Sequence, residues 1–339
     1  MKIMKAEELR DLVAEIFQKR GVPEADSLIV ANSLVHANLR GVDSHGVMRV
    51  GHYIHRLEAS SINPKPHEHL ERTGVITAFI DGDDGLGHVS VLHAMDTAIE
   101  IAKDSGVGLV GVKNSSHCGA LSFFVFQAIE AGMIGMAMTQ TDTAVVPYGG
   151  RKPFCGTNPL CFGIPSNKGT PIVLDMATST VAGGYVMKAR AENRKIPDSW
   201  ALDMDGKPTT DPHRAVYFTP AGGPKGYGLG VIVDVLTGIL MGGFFGPHVP
   251  IMYGDYERRR GLCHLVGSID YRRFPGKVSF LDQVTRMVEE LHQVPPAEGF
   301  DQVLAPGEPE YLKEMDRIKN GIPIEDYIFD ELNTLRQTR

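Results

Sequence analysis

Cysteine is scarce: Cys118, Cys155, Cys161 and Cys263 are the four in a chain of 339 residues, and no two are spaced as Cys-x-x-Cys. A secreted disulfide scaffold is therefore excluded, and a reducing cytoplasm is the expected location. Long hydrophobic runs are missing too. The longest, 229–241, holds Asp234 and falls short of the roughly 18 residues that a membrane span needs, so it is expected as a core helix. The first residues, Met-Lys-Ile-Met-Lys, are charged from the start and lack the apolar stretch of a signal peptide. Neither sign of charge dominates. Lys and Arg number 34 against 41 Asp and Glu, a net charge of −7 with the signs interspersed, which argues against nucleic acid or an anionic membrane as partner. No Gly-x-Gly-x-x-Gly follows a predicted strand, so an ordinary Rossmann dinucleotide site has no support. No Walker loop and no His-Glu-x-x-His occur, and despite 13 histidines no metal site is expected.

What the chain does have is glycine and proline, 38 and 21 residues, enough for many tight loops whose backbone can touch a ligand. Its length predicts about two domains at roughly 150 residues each. Apolar residues at helical spacing predict helices over 5–20 and 24–39, and the Asn63-Pro64-Lys65-Pro66 connector ends this lobe. From residue 75 short β-rich runs alternate with amphipathic helices: strands at 77–80, 108–112 and 134–138, helices at 88–102 and 120–131. Such alternation describes βαβ units packed on a sheet. Beyond a loop-rich 146–170, strands are expected at 171–175 and 263–269 and helices at 227–242, 278–292 and 325–335. The domain reading is an N-terminal helical lobe at 1–74 that packs with the C-terminal part, an α/β cofactor-binding domain at 75–220, and a C-terminal part at 221–339 that completes the first domain.

Four constellations can carry chemistry. Asp43-Ser44-His45-Gly46 with Arg49, His52, Tyr53 and Arg56 follows a helix at a glycine turn; with a helix starting near Gly46, Arg49 and Tyr53 share a face. A guanidinium beside a hydroxyl and an imidazole suits a carboxylate, and the same residues also describe a polar helix surface. Asn114-Ser115-Ser116-His117-Cys118-Gly119 lies between a predicted strand and a helix, where ligands of open α/β sheets gather. His117 there is either a general base or a helix-capping or core histidine, and Cys118 is read as packing. Gly222-Gly223-Pro224-Lys225-Gly226-Tyr227-Gly228 opens the apolar helix, where free N–H groups and Lys225 favour an anion; close helix packing explains Gly228, Gly230, Gly238 and Gly242 equally well. Gly156-Thr157-Asn158-Pro159 and Asp175-Met176-Ala177-Thr178 are turn sequences with exposed backbone groups.

These segments, in order along nearly the whole chain, resemble the malate/L-lactate dehydrogenase family, which is unrelated to the Rossmann-type dehydrogenases. The likeness rests on Arg40-Gly-Val-Asp-Ser-His-Gly46 with Arg49, Ser116-His-Cys-Gly119, Val146-Pro-Tyr-Gly-Gly150, Gly156-Thr-Asn-Pro159, Leu174-Asp-Met-Ala-Thr178, Ile196-Pro-Asp-Ser-Trp200, Pro224-Lys-Gly-Tyr-Gly-Leu229 and Pro306-Gly-Glu308. Within the family, Met138-Thr-Gln-Thr-Asp142 and the 212–227 stretch are most similar to members that oxidise (S)-ureidoglycolate to oxalurate in allantoin breakdown. The resemblance implies a non-Rossmann α/β fold with a mixed sheet, flanking helices and an N-terminal helical lobe. It also implies a homodimer, NAD as cofactor with NADP the alternative, and a small 2-hydroxy acid as substrate. Malate, L-lactate or sulfolactate oxidation, or reduction of a 2-keto or imino acid, are the other activities the family implies. By the same resemblance His117 is the acid/base; Ser44, His45, Arg49 and Tyr53 bind substrate; Thr141, Asp175, Met176, Ala177, Lys225, Pro306, Gly307 and Glu308 bind cofactor. Tyr185 stands where the family often has lysine, and Thr141 where serine is common among the ureidoglycolate enzymes.

Overall fold

The computed structural model describes residues 1–275 and 279–338. The chain opens with a short strand, β1 (Lys2–Met4), and two helices, α1 (Ala6–Gln18) and α2 (Glu24–Leu39). Leu9, Leu12, Val13, Ile16 and Phe17 make the buried face of α1 that the periodicity predicts. Two 3-10 turns then lead into α3 (Val50–Glu58). After β2 (His69–Arg72) and β3 (Thr77–Asp81) come α4 (Gly87–Ser105), β4 (Val107–Ser115), α5 (Ser122–Glu130) and β5 (Ile134–Thr139). Strands β6 (Leu160–Ile164) and β7 (Ile172–Met176) complete the ascending half. A smaller unit follows: α6 (Gly183–Ala191), β8 (Ala201–Leu202) and β9 (Tyr217–Phe218). Then come α7 (Pro224–Asp234), continued by a π-helical turn, β10 (Leu262–Ile269), α8 (Phe280–His292), α9 (Glu308–Asn320), β11 (Ile322–Ile324) and α10 (Asp326–Gln337).

The seven-stranded sheet runs β2-β3-β4-β10-β5-β6-β7. Only β3 and β4 are parallel neighbours, joined through α4 as a βαβ unit. β10 inserts antiparallel between β4 and β5, with Val266 facing Val110 on one side and Ala137 on the other. The sheet is thus mixed, and its centre draws on residues outside 75–220. The two largest cores are separate. One joins α1, α2 and α3 to Ile322, Ile324, Ile328 and Leu332 from the far end of the chain; the other lies between the sheet and α4 and α5.

Several expectations need correction. The 229–241 run is not a core helix: Leu229, Ile232, Val235, Ile239 and Leu240 are exposed, while Val233 and Asp234 are buried. An apolar run decides that a helix forms, but not that one chain covers both its faces. β4 extends through Asn114 and Ser115, so the His117 loop begins two residues later than expected. The segments β6, α6 and α9 were not anticipated, because glycine and proline punctuate the first and charge dilutes the last. The 278–292 helix is observed as α8 from Phe280; Val278 lies outside the described residues. Gly106-Val-Gly108-Leu-Val-Gly111 spells a dinucleotide spacing, yet Gly106 caps the end of α4 and the rest is the start of β4 itself. A Cβ at Gly108 would lie 2.1 Å from the Ala98 carbonyl oxygen, so the packing of α4 on β4 needs that glycine, while one at Gly111 would meet the Met241 side chain.

Candidate active site

His117 sits just past the carboxyl end of β4, where an open sheet receives ligands. Gly87 brings α4 against this loop: its N–H donates to Ser116 Oγ at 2.9 Å, and any Cβ there would meet the Ser116 carbonyl oxygen at 2.2 Å. The helix-capping reading of His117 fails, because the first N–H of α5, from Ser122, donates instead to Asp175 Oδ2 at 2.8 Å. His117 Nδ1 is 2.7 Å from the Tyr53 hydroxyl and 3.3 Å from the Gly119 N–H. The second ring nitrogen, Nε2, makes no hydrogen bond among the described residues, which leaves it for a reacting group. Burial, with Arg49 and Arg260 adding positive charge and the His45 and His88 rings close by, holds the His117 pKa well below the usual 6.5. The imidazole is neutral at pH 7.

Around it stand the residues expected to bind substrate. His45 stacks on His117 with ring centroids 5.8 Å apart, and its Nδ1 lies 3.0 Å from Ser44 Oγ. Burial pushes the His45 pKa down to about 4. Tyr53 is fully buried, which raises its phenol far out of the titrating range and keeps the hydroxyl protonated. Arg49 caps α3 from outside, so Arg49 and Tyr53 do share a face although the helix starts later than expected. Arg49 Nε donates to the Ser44 carbonyl at 2.6 Å; this fixes the guanidinium and leaves its two terminal nitrogens for a bidentate partner.

The turn carrying Ser44 and His45 is held from two sides. Asn38 Oδ1 accepts the Val47 N–H at 2.8 Å, and a Cβ at Gly46 would sit 2.2 Å from that oxygen, which is why glycine stands there. Asp43 is a support residue: Arg317, on α9, donates to both its carboxylate oxygens at 2.6 and 3.0 Å. Arg56, also part of the sequence cluster, is buried and donates to the carbonyls of Ile251, Met252, Asp255 and Arg258. It anchors the 251–259 loop, whose Tyr253 ring lies 5.8 Å from the Arg49 guanidinium.

The residues expected to bind cofactor form a second, connected wall. Thr141 Oγ1 accepts the Thr157 N–H at 2.8 Å; Thr157 in turn accepts the Thr178 N–H, and Thr178 the Ala221 N–H. This chain of contacts ties Thr141, the 156–159 turn, the Asp175-Met176-Ala177 end of β7 and the glycine loop together. Met176 packs with Met138, Leu160 and Val233 below α7. At the sheet edge Val173 N–H donates to the Pro306 carbonyl, and Gly307, at φ +91°, lies against Val173, where a Cβ would clash. Glu308 is occupied within the chain, accepting from Ala305 N–H at 2.6 Å and meeting His292 Nε2 at 2.9 Å.

The glycine loop is more specific than its composition. Gly226 N–H donates to the Ala221 carbonyl at 2.7 Å and Tyr227 N–H to that of Gly223, so fewer N–H groups are free than expected. Gly230 meets Thr178 and Gly238 meets the Phe244 carbonyl, as packing requires, whereas Gly228 faces open space. Lys225 is exposed at the second residue of α7, whose N-terminus has no side-chain cap. A cleft of about 400 Å³ runs beside it, lined by Tyr148, Gly150, Thr180, Ser199, Gly222 and Gly223. The Lys225 N–H is the first of the helix, since Pro224 has none and Gly226 and Tyr227 already donate within the loop. Tyr185 lies edge-on to Trp200 at 6.3 Å and is exposed; its neighbour Gly184 lies against Ser44.

Sequence reasoning missed Arg260 and Asp142 as site residues. Their pair, 2.8 Å apart, borders the same cluster, but the Arg258-Arg259-Arg260 run reads as solvated charge until the fold buries one of the three. Cys118 is buried and its thiol is pushed up to about 12, so the packing reading stands. Among the described residues no group of three His, Cys, Asp or Glu is placed to hold a metal, and no helix is long and apolar enough to cross a membrane.

The chain is similar to known proteins over almost its whole length. A ureidoglycolate dehydrogenase (NAD(+)) of Escherichia coli O157:H7 is 40% identical over 332 residues, covering 98% of this chain and 95% of that protein. The sulfolactate dehydrogenase structure from Methanocaldococcus jannaschii superposes with a TM-score of 0.92 at 38% identity, covering 98% and 96%. The malate dehydrogenase structure from Pyrococcus horikoshii OT3 gives 0.89 at 35% identity, covering 98% and 94%. A sequence model described as malate/L-lactate dehydrogenase matches residues 4–333. On this match over almost the whole length, with the Tyr53–His117 pair and Arg49 gathered in one cluster, the chain belongs to the malate/L-lactate dehydrogenase family.

Proposed function

We propose that the protein oxidises (S)-ureidoglycolate to oxalurate with NAD, as a 2-hydroxy-acid dehydrogenase. The observation that carries the reading is the Tyr53–His117 pair beside an Arg49 whose terminal nitrogens make no hydrogen bond among the described residues. Arg49 takes the substrate carboxylate as a bidentate pair and orients C2. His117, with Nδ1–H donating to the Tyr53 oxygen, accepts the C2 hydroxyl proton at Nε2. NAD, when bound, supplies the hydride acceptor; Lys225, Thr141, Asp175, Met176, Ala177 and the 306–308 turn are the residues that would hold it. Run in reverse, the His117 imidazolium formed by that transfer returns its Nε2 proton to a ketone oxygen and is left as the neutral imidazole. Reduction of a 2-keto acid at the same site is therefore the second reading.

The name of the 40% identical relative supports ureidoglycolate as the leading substrate and NAD as cofactor. A homodimer is proposed with it, supported by the exposed Leu229, Ile232, Ile239, Leu240 and Phe244 on and after α7. The division at 74 and 220, and a cytoplasmic site of action, belong to the same proposal. Near-UV absorbance with NAD and a panel of ureidoglycolate, malate, lactate and sulfolactate tests the substrate. Ureidoglycolate is expected to give the highest kcat/KM; a larger value for any other member of the panel replaces it.

A further inference from the structure

Arg260 is almost fully enclosed, with 3% of its surface exposed, yet it is poorly satisfied. Nη2 donates to Asp142 Oδ1 at 2.8 Å, while Nε and Nη1 are buried without a partner among the described residues. A guanidinium removed from water keeps unpaired donors only at a cost, and in an enzyme such donors mark a place for a ligand oxygen. Asp142 is fixed as well: its second oxygen accepts the Met252 N–H at 3.1 Å. It follows directly on Thr141, and the Arg260 charge bears on His52, Tyr53 and His117. His52 Nδ1 is a further buried nitrogen in the same cluster without a partner among the described residues. None of these groups has a task in the proton transfer or in the Arg49 carboxylate contact.

We infer that Arg260 and Asp142 together read the group the substrate carries beyond C2, and that this group is neutral and planar, with a carbonyl oxygen and an N–H side by side. The inference rests on the 2-hydroxy-acid reading above. The unpaired Arg260 N–H groups call for an acceptor oxygen; the Asp142 carboxylate beside them calls for a donor. A ureido group offers both and adds no charge to a pair that is already neutral. A second carboxylate satisfies Arg260 but faces the negative charge of Asp142. A methyl group leaves the buried donors unpaired. Selection at this subsite is thus by hydrogen-bond complementarity, which discriminates more sharply than pocket volume.

The test compares kcat/KM for ureidoglycolate, malate and lactate in the wild-type protein, Arg260→Lys and Asp142→Asn. Arg260→Lys keeps the charge that holds Asp142 but loses the second donor edge. It is expected to lower the ureidoglycolate-to-lactate ratio about ten- to a hundredfold. Asp142→Asn removes the repulsion and is expected to lower the ureidoglycolate-to-malate ratio. Product inhibition of the wild-type enzyme needs no variant: oxalurate is expected to bind more tightly than oxaloacetate. Equal losses on all three substrates would make Arg260 a brace for the 251–259 loop and overturn the inference. Tighter binding of oxaloacetate, or a wild-type preference for malate or lactate, overturns it too. Each of these leaves the dehydrogenase reading standing, whereas no oxidation of any 2-hydroxy acid brings down both.

Discussion

A neutral imidazole with one nitrogen held and the other open is the smallest unit of this chemistry, and its protonation sets a sign. To accept a proton His117 must be unprotonated, and burial with four positive or polarisable neighbours lowers its pKa well below 6.5. The base form is therefore present throughout the neutral range and is lost only as pH falls through the lowered pKa. The kcat/KM for oxidation is expected to be flat around pH 7 with its acid limb below 6.5; a limb at or above 6.5 contradicts this environment. Arg49 yields the second expectation. Because its Nε is already spent on Ser44, the carboxylate must be taken by the terminal pair, which an ammonium cannot reproduce. Arg49→Lys should raise KM or lower kcat/KM by about ten- to a hundredfold, and steady-state kinetics that match the wild type would place the carboxylate elsewhere. Both residues were legible in the sequence. The tasks of Asp43 and Arg56 were not, because the partners that turn them into supports, Arg317 and the 251–258 carbonyls, lie some 200 residues or more away along the chain.

At the scale of elements, the glycine loop and α7 join the two halves of the site. Gly226 has no room for a side chain: a Cβ would lie 2.4 Å from the Ala221 carbonyl oxygen and 2.5 Å from its nitrogen. Gly226→Ala must displace backbone, at a cost of about 1–3 kcal/mol by analogy with overpacked cores, measured as a lower chemical denaturation midpoint. Lys225→Ala should leave that midpoint unchanged and weaken NADH binding by about one to two decades, less at high salt. Fluorescence titration at two ionic strengths checks it, and unchanged affinity would assign the loop to packing alone. Local pattern located α1, α2, α4, α5 and their strands because one apolar face of each is buried by a neighbour in the same chain. It could not foresee that β10 enters between β4 and β5, since nothing in an eight-residue apolar strand names its partners. Nor could it tell that the apolar face of α7 is left bare.

For the whole molecule, that bare face and the acid/base site lead to different measurements. Leu240 is 62% exposed on the ridge with Leu229, Ile232 and Ile239. If a second copy covers it, Leu240→Glu should convert a dimer to monomer in sedimentation velocity at micromolar concentration, and a wild-type monomer would dismiss the pairing. The central claim is the reaction. The most direct measurement is single-turnover formation of NADH by the wild type and by His117→Ala with saturating ureidoglycolate, together with NADH affinity for both. Wild-type turnover with a loss of about 10²–10⁴ in His117→Ala, at unchanged NADH affinity, is the predicted result. Equal rates in the two proteins, or no NADH from ureidoglycolate or any other 2-hydroxy acid, would contradict it.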